Sequence, residues 1–329
     1  MLERTLALRT GLFDDRHLAA IRLFNGFTEG FPGLVVDLYA TSLLIHNLAR
    51  PHGGLMAAVD AARDFYPTRL PWVQSIVIKT RHATSLEEKR GRLAQGTNPA
   101  DRVQEFGVWY ALDLLRQQDA GLYLDTRLLR RWGLDYLKGK TILNTFAYTG
   151  SLGVAALGGG ANRVVQLDRN REHFDLARGS YLMNGFPVHE ADFLVGDFFE
   201  QISRLKRAGE FFDCVFLDPP FCASSARSRV DLVKHDVSLI NKVRQLLRDG
   251  GWLVAINNAL FVSGRDYLSK LEKLCQDGYL QVETLLPVAE DCCGYPDTRQ
   301  EEPSGGLFPA DPAPFNHPTK IAVLRVKRK

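Results

Sequence analysis

The sequence predicts an α/β fold in which a mostly parallel, Rossmann-like sheet with crossover helices is preceded by a smaller α+β domain. From residue 141 onward, apolar runs typical of buried strands alternate with longer segments of helical period, which is the pattern of parallel sheets. Before that point, strand-like runs follow one another with one helix candidate between them. A chain of 329 residues also exceeds the usual size of one hydrophobic core. We therefore expect two domains, 1–112 and 113–329.

The N-terminal domain is predicted to have the order strand, strand, helix, strand, strand. Residues 34–47, LVVDLYATSLLIHN, are typical of two strands around a short turn, and PHGGLMAAVDAARDFY is a helix candidate. VQSIVIKTR and VQEFGVWYALDLL are predicted as two further strands. The charged segment 87–102 is expected to form a solvated loop or hairpin.

Five apolar runs predict the parallel strands of the C-terminal domain: TILNTF, NRVVQLD, ADFLVGD, FDCVFLD and GWLVAINN. A helix over about 264–278 follows, and then two more strand candidates, YLQVETLL and KIAVLRVKRK. The Pro- and Gly-rich stretch 287–319 between these two has no helical period and cannot form a crossover helix, so they are predicted to pair antiparallel. A seven-stranded sheet with one antiparallel member is the arrangement of class I methyltransferases, which at this point is a resemblance of fold alone.

Composition excludes several classes of protein. With 45% hydrophobic and 24% charged residues, the chain is typical of globular proteins. No run approaches the roughly 18 apolar residues of a membrane span, and the charged start MLERTLALRTGLF is unlike a signal peptide, so we expect no membrane and a cytoplasmic protein. Five cysteines without a C-x-x-C pair, and histidines without ligand spacing, predict no disulfide framework and no metal. Because the net charge is only +3, any contact with nucleic acid must be local.

The turn AYTGSLG, after the first strand of the C-terminal domain, lies where α/β sheets bind ligands. Aligned with the dinucleotide pattern G-x-G-x-x-G, it has Tyr148, Gly150 and Gly153 at the three glycine positions. The first glycine, which a diphosphate requires, is missing. S-adenosylmethionine is a nucleoside that carries a sulfonium and no phosphate, so the turn favours it over a nicotinamide dinucleotide.

Carboxylates follow three successive strands of this domain. Asp168 follows the second strand, where an acidic side chain accepts hydrogen bonds from ribose hydroxyls. Asp197 follows the third strand and is expected to accept from an adenine amino group, with Phe198 beside it for stacking. Asp218 follows the fourth strand. The three together predict a nucleoside site at the carboxyl edge of the sheet.

The segment that begins at Asp218, DPPF, has the composition of a clamp for a planar base. A carboxylate and proline carbonyls accept hydrogen bonds from an exocyclic amino group, and an aromatic ring stacks on a base that is turned out of its helix. Asp218, Pro219 and Phe221 are therefore candidate catalytic residues. They are expected to orient a nitrogen of guanine or adenine toward the methyl group.

Several segments, in their order along the chain, resemble one family. DAGLYLDTRLLRRW, LNTFAYTGSLGVAAL, VQLDRN, LARGSYLMNGF and FDCVFLDPPF together resemble the class I S-adenosylmethionine-dependent methyltransferases that modify bases of bacterial large-subunit ribosomal RNA. RLFNGFTEGFPGLVVDLYA resembles the start of the central domain of that family. The resemblance implies an enzyme that methylates a base of RNA. A methyltransferase of a small molecule or of a protein is the alternative.

The resemblance also implies functional residues. Those expected to contact the cofactor, in addition to the strand-end carboxylates, are Tyr123, Asp125, Arg127, Asn144, Phe146, Tyr148, Thr149 and Gly150. Many relatives begin with a PUA RNA-binding domain, and the short stretch before residue 22 cannot hold one. RNA is then expected to contact the N-terminal domain and basic side chains beside the clamp, namely Arg227, Arg229 and Lys234.

A cysteine beside the clamp offers a different chemistry. Methylation of cytosine at carbon requires a thiolate that adds to the ring, and in the cytosine-modifying members of the family this thiol follows the fifth strand. Here Asn257 and Asn258 stand at that place. Amides donate to and accept from a base edge without covalent chemistry, so Asn257 is a further candidate catalytic residue. Cys222 is the nearest thiol, and its use as a nucleophile on cytosine is the alternative to methylation at nitrogen.

Overall fold

The computed structural model describes residues 1–116, 119–220, 222–224, 229–298 and 312–328, without the side chains of His52 and of residues 222–224 and 229–236. The described residues form two compact units. The first comprises Met1–Leu124 with residues 289–298, and the second comprises Asp125–Val288 with residues 312–328.

The helices of these ranges are α1 Leu2–Ala7, α2 Met56–Arg69, α3 Leu86–Arg90, α4 Arg127–Tyr136, α5 Ser151–Gly158, α6 His173–Met183, α7 Phe198–Arg207, α8 Leu232–Val243, α9 Gly264–Cys275 and α10 Glu290–Cys293. The strands are β1 Ala20–Asn25, β2 Leu34–Tyr39, β3 Ser42–Asn47, β4 Ser75–Thr80, β5 Arg92–Gln95, β6 Arg102–Glu105, β7 Val108–Ala111, β8 Thr141–Thr145, β9 Arg163–Asp168, β10 Phe193–Val195, β11 Phe212–Leu217, β12 Cys222–Ser224, β13 Arg229–Asp231, β14 Leu247–Asn257, β15 Leu280–Leu286 and β16 Lys320–Val326.

The first unit is built on a five-stranded sheet in the order β1-β2-β3-β4-β5. Strands β1, β2 and β3 are antiparallel neighbours, whereas β3 and β4 are parallel and α2 is the crossover helix between them. Strand β5 pairs antiparallel with β4, and β6 and β7 form a separate hairpin. The apolar core includes side chains of the sheet and of α2, among them Leu23, Val36, Leu43, Val59, Tyr66 and Ile76.

This unit contains β2, β3, α2 and β4 as predicted, and it differs from the prediction elsewhere. Strand β1 is additional. The charged segment 87–102 forms α3 and the edge strand β5, because its backbone pairs with β4. The run predicted as one strand from residue 103 is the β6–β7 hairpin, whose turn residues Phe106 and Gly107 have φ of 51° and 83°. Positive φ at an aromatic residue is uncommon, so the sequence did not indicate this turn.

Two stretches outside the expected N-terminal domain belong to the first unit because they are hydrogen-bonded within it. The Tyr39 hydroxyl donates to the carbonyl oxygen of Leu122 at 3.0 Å. Near the other end of the chain, Asn25 Nδ2 donates to the carbonyl oxygen of Cys292 at 2.7 Å. The units therefore divide before Asp125, later in the chain than the expected boundary at 112.

The second unit is built on a seven-stranded sheet in the order β10-β9-β8-β11-β14-β16-β15. The pairings from β10 to β14 are parallel, whereas β16 is antiparallel to both β14 and β15. This confirms the predicted mostly parallel sheet and the antiparallel pairing of its last two strands. The strand order reverses at β8, so the carboxyl ends of β8, β9, β11 and β14 form the ligand-binding edge that is typical of such sheets.

Helices cover this sheet on both faces. Alternate side chains of each strand enter one of two apolar clusters, with Leu143 and Val215 in one and Ile142 and Phe216 in the other. Because both faces are buried, the central strands consist mainly of apolar residues, which made them recognisable in the sequence. None of the helices in the described ranges combines the length and apolar character needed to cross a bilayer.

Candidate active site

The turn between β8 and α5 has a strained backbone. Phe146 and Tyr148 have φ of 55° and 52°, Gly150 has φ of 75°, and Thr149 between them is buried. A left-handed conformation at a residue other than glycine costs about 1–3 kcal/mol and persists only when surrounding contacts impose it. One such contact is the hydrogen bond from the Tyr148 amide to Asp168 Oδ2 at 2.8 Å. The turn is thereby fixed against the end of β9.

Asp168 is the last residue of β9 and has an ionised side chain. Its Oδ1 accepts from the Asn170 amide at 2.8 Å and lies 3.2 Å from Nδ1 of His173. Burial by itself raises the pKa of Asp168, but the hydrogen bonds from His173, Asn170 and Tyr148 outweigh it and bring this pKa below its usual value. The carboxylate is therefore charged at neutral pH, which suits an acceptor for ribose hydroxyls.

Replacement of Asp168 with Ala is expected to weaken S-adenosylmethionine binding roughly tenfold to a hundredfold, because charge-assisted hydrogen bonds contribute on the order of 1.5–3 kcal/mol. Titration calorimetry measures the affinity. Asp175→Ala is the matched control, since this carboxylate is exposed on α6 and is expected to leave the affinity unchanged. Equal affinities for Asp168→Ala and wild type would exclude Asp168 from the cofactor site.

Gln166, in β9, is fully buried and contacts the same turn from within the sheet. Its Nε2 donates to the carbonyl oxygen of Gly150 at 3.2 Å and to the Tyr181 hydroxyl at 3.1 Å, and its Oε1 accepts from Asn144 Nδ2 at 2.8 Å. A Cβ atom on Gly153 would lie 2.2 Å from Gln166 Nε2, so only glycine lets α5 approach the sheet here. Gln166 was missed in the sequence, where a polar residue inside an apolar run was the available signal.

Three residues predicted to contact the cofactor have structural partners. Asn144 is buried inside the sheet. Phe198 is also buried and stacks on Phe146, with ring centroids 4.8 Å apart and planes at 21°. Asp197 is the N-cap of α7, where its Oδ1 accepts from the Phe199 amide at 2.9 Å. The contacts of Asp197 and Phe198 with adenine, and of Asn144 with the cofactor, stay predictions.

Asp125 and Asp218 are the acidic residues of a second cluster. Asp125 lies in the turn before α4, and its Oδ2 accepts from the Thr319 hydroxyl at 2.7 Å. Asp218 follows β11, is partly buried, and receives no hydrogen bond from the residues that the structure describes. Burial and, second, the negative charge of Asp125 raise the pKa of Asp218 to about 7. Asp218 is thus a hydrogen-bond acceptor that has no donor within the described chain.

The end of β14 is next to β11 in the sheet and contributes two amide side chains. Asn258 Nδ2 lies 3.4 Å from the carbonyl oxygen of Pro219, a long hydrogen bond, and Asn257 Oδ1 accepts from the Ala259 amide at 3.0 Å. The remaining polar atoms, Asn257 Nδ2 and Asn258 Oδ1, are buried and have no partner among the described residues. This donor and this acceptor are therefore free, among the described residues, to pair with a ligand or with water.

The other predicted residues either have no described side chain or are described only by their local contacts. The structure describes no side chain for Phe221, Cys222, Arg227, Arg229 and Lys234. Arg127 is the first residue of α4. Tyr123 belongs to the first unit, where its hydroxyl donates to Asp119 Oδ2 at 2.8 Å. Within the described ranges, no group of three His, Cys, Asp or Glu side chains is placed to hold a metal ion.

The residues around β8 fit a positively charged nucleoside. Tyr148 stands where a diphosphate-binding turn has its first glycine, so this turn is not built for phosphates. Asp168 is an ionised acceptor for ribose hydroxyls. Asp125 and Asp218 add acidic groups within the same unit, which favour a cation such as a sulfonium.

Solved structures share this fold. The crystal structure of SMU.776, described as a methyltransferase and complexed with SAH, superposes with a TM-score of 0.83 at 20% sequence identity, over 99% of this chain and 80% of that chain. A similar structure of a SAM-dependent methyltransferase from Streptococcus mutans has a TM-score of 0.80 at 19% identity, with the same coverage. At this identity the likeness concerns the fold.

Relatives with higher sequence identity show the family as well as the fold. A protein from Photobacterium profundum named Ribosomal RNA large subunit methyltransferase I is 32% identical over 269 residues, which are 79% of this chain and 67% of the relative. Its namesake from Aeromonas hydrophila is 31% identical over 293 residues, or 86% of this chain and 72% of the relative. The family model of S-adenosylmethionine-dependent methyltransferases matches residues 22–298. The chain therefore belongs to the family of S-adenosylmethionine-dependent methyltransferases, as the sequence predicted, and S-adenosylmethionine is its cofactor.

Proposed function

We propose that this enzyme methylates a nitrogen of a base in large-subunit ribosomal RNA. The observation that carries the proposal is a set of polar groups at the ends of two neighbouring strands. Asp218 has a partly buried carboxyl group, and Asn257 Nδ2 and Asn258 Oδ1 are buried without a partner among the described residues. The names of the relatives support ribosomal RNA as the substrate. We place the reaction in the cytoplasm, where that RNA is found, and we assign RNA contacts to the first unit as well.

The chemistry follows from these groups. S-adenosylmethionine supplies a methyl group on a positively charged sulfur. The ionised Asp218 carboxylate accepts a hydrogen bond from an N–H of the base and holds the nitrogen in line with the methyl carbon. As the N–C bond forms and the S–C bond breaks, the N–H proton passes to this carboxylate or to water, and a pKa of about 7 suits such an exchange at neutral pH. Asn257 and Asn258 fix the base edge through a donor and an acceptor.

The cysteines favour nitrogen over carbon as the accepting atom. Cys214 is buried within β11, and burial raises the pKa of its thiol well above the usual value, so it is not a thiolate. Cys275 is at the end of α9. The residues after β14 are Asn258, Ala259 and Leu260, without a thiol. Cys292 and Cys293 are buried in α10 of the first unit. Cys222 directly follows the clamp in sequence and is the thiol that we keep as the candidate for carbon chemistry.

Mass spectrometry of ribosomal RNA nucleosides tests the function directly. Cells that lack the protein are expected to lose one base-methylated nucleoside with the methyl group on nitrogen. Wild type and Cys222→Ser are expected to restore it, and Asp218→Ala is not. Loss of 5-methylcytidine that Cys222→Ser fails to restore would assign the reaction to carbon. An unchanged nucleoside profile, together with methylation of a metabolite or a protein, would assign the enzyme to a different substrate class.

A further inference from the structure

The chain that follows β14 makes a turn that projects two apolar side chains into solvent. The Val262 amide donates to the carbonyl oxygen of Ala259 at 3.3 Å and closes a β-turn over residues 259–262. Ala259 and Val262 are buried, whereas Leu260 is 46% exposed and Phe261 is 73% exposed. Phe261 is therefore an aromatic ring held in solvent by a defined turn, and not a side chain that packs on the core.

Lys320, the first residue of β16, fixes this turn from the interior. Its ammonium donates to the carbonyl oxygens of Ala259 and Val262, each at 2.9 Å, and of Pro318 at 2.5 Å. These three bonds use all three N–H groups of the ammonium. Lys320 is fully buried, and burial lowers its pKa to about 8. By donating to all three carbonyl oxygens, Lys320 fixes the two ends of the turn and Pro318 relative to one another.

The 259–262 turn directly follows Asn257 and Asn258, the two residues that we propose fix the edge of the base. The Ala259 amide, at the start of the turn, donates to Asn257 Oδ1, and Asn258 reaches the carbonyl oxygen of Pro219. A side chain at the tip of the turn therefore lies only a few residues from the unsatisfied amide atoms.

The geometry points to Phe261 as a stacking surface for a base of the RNA substrate, with Lys320 as the positioning residue that holds the 259–262 turn in place for it. The inference rests on the proposed function, because it requires RNA in the site. Proteins that bind unpaired nucleotides use exposed aromatic rings in this way, since every base has a flat face to stack. A protein or lipid partner would favour a wider apolar patch than one turn.

Kinetics of methyl transfer to large-subunit ribosomal RNA extracted from cells that lack the protein test the role of Phe261. Phe261→Ala is expected to raise the KM for this RNA about 5- to 150-fold, which is the range for loss of one stacked base. The kcat and the affinity for S-adenosylmethionine are expected to stay within about twofold of wild type. Phe261→Leu is the matched control, since it keeps an apolar side chain without a ring, and it is expected to behave like Phe261→Ala. Phe261→Trp is expected to keep the wild-type KM.

The role of Lys320 is tested by a double-mutant cycle. Lys320→Met is expected to raise the KM for RNA as Phe261→Ala does, with the affinity for S-adenosylmethionine unchanged. Combined with Phe261→Ala, it is expected to add nothing, because both substitutions remove the same contact. Lys320→Arg, which keeps a cation that donates to carbonyls, is expected to be intermediate. A loss of S-adenosylmethionine affinity in Lys320→Met and Lys320→Arg, with additive KM effects, would make Lys320 a structural residue only.

The outcomes separate this inference from the function on which it rests. Wild-type enzyme that transfers no methyl group to the RNA would contradict the proposed function. Active wild type with an unchanged KM in Phe261→Ala would leave that function intact and contradict the stacking role. A wild-type KM in Phe261→Leu would also contradict it, because an aliphatic side chain would then be sufficient.

Discussion

Replacement of Asp218 with Ala is expected to lower kcat for methyl transfer by about 10²-fold or more. The substitution removes the acceptor that holds the base nitrogen in line with the methyl group, and positioning supplies most of the rate enhancement in a transfer of this kind. Stopped-time assays with radiolabelled S-adenosylmethionine and ribosomal RNA measure the rate. Asp218→Asn keeps an oxygen acceptor without its charge and is expected to lose less activity.

Cys222→Ser is the control for this experiment. It removes neither a base-orienting group nor, in our proposal, a nucleophile, so it is expected to retain most of the wild-type rate. An inactive Cys222→Ser enzyme, together with a wild-type enzyme trapped covalently on RNA that contains 5-fluorocytosine, would establish carbon methylation and contradict the assignment of Asp218.

The rate of methyl transfer is expected to rise with pH up to about pH 7 and then to level. Burial and the charge of Asp125 raise the pKa of Asp218 to about 7, and the ionised form is both the stronger acceptor for the N–H of the base and the form that can take up its proton. Well below that pKa, kcat/KM is expected to fall tenfold per pH unit, which makes the total fall between pH 7 and pH 5 roughly 50-fold. A carboxyl group with an ordinary pKa would give a nearly flat profile over this interval.

Asp218→Asn is the matched variant for the pH profile, and its kcat/KM is expected to be independent of pH between about pH 5 and pH 8. The same pKa has a consequence for stability. Because the folded state favours the protonated carboxyl, the contribution of Asp218 to stability is present below its ordinary pKa and is lost as the pH rises through about 7. A wild-type profile as flat as that of the variant would show that ionisation of Asp218 is not required.

The C-terminal sheet was predictable because its strands are buried on both faces. Runs such as Cys214–Leu217 in β11 are apolar, and the lengths between such runs leave room for helices. The positions of Asp168, Asp218 and Asn257 followed, since parallel strands end at one edge of the sheet. The edge strand β5 was not predictable, because Arg92 to Gln95 have no apolar pattern and pair only through the backbone of β4.

Gln166 and Lys320 were not predicted from the sequence, and the reason is the same for both. Gln166 and Lys320 are polar side chains in buried strands, and the partners that satisfy them are distant in sequence. A sequence shows that such a residue interrupts an apolar run, but not which carbonyl it meets. Asp197 differs from these two, because the sequence did indicate it as a site residue. A carboxylate between a strand and a helix is also a common N-cap, and Asp197 caps α7 in the structure.

Three carbonyl oxygens surround the ammonium of Lys320, much as carbonyl oxygens surround a bound potassium or calcium ion in other proteins. Here the cation is a side chain of the protein. A cation attached through a side chain cannot be chelated or diluted away. The shape of the turn after β14 is therefore independent of the ionic composition of the medium, whereas phosphate contacts with RNA weaken steeply as salt rises. Turnover at saturating RNA is accordingly expected to stay constant across a salt series in which the KM for RNA climbs.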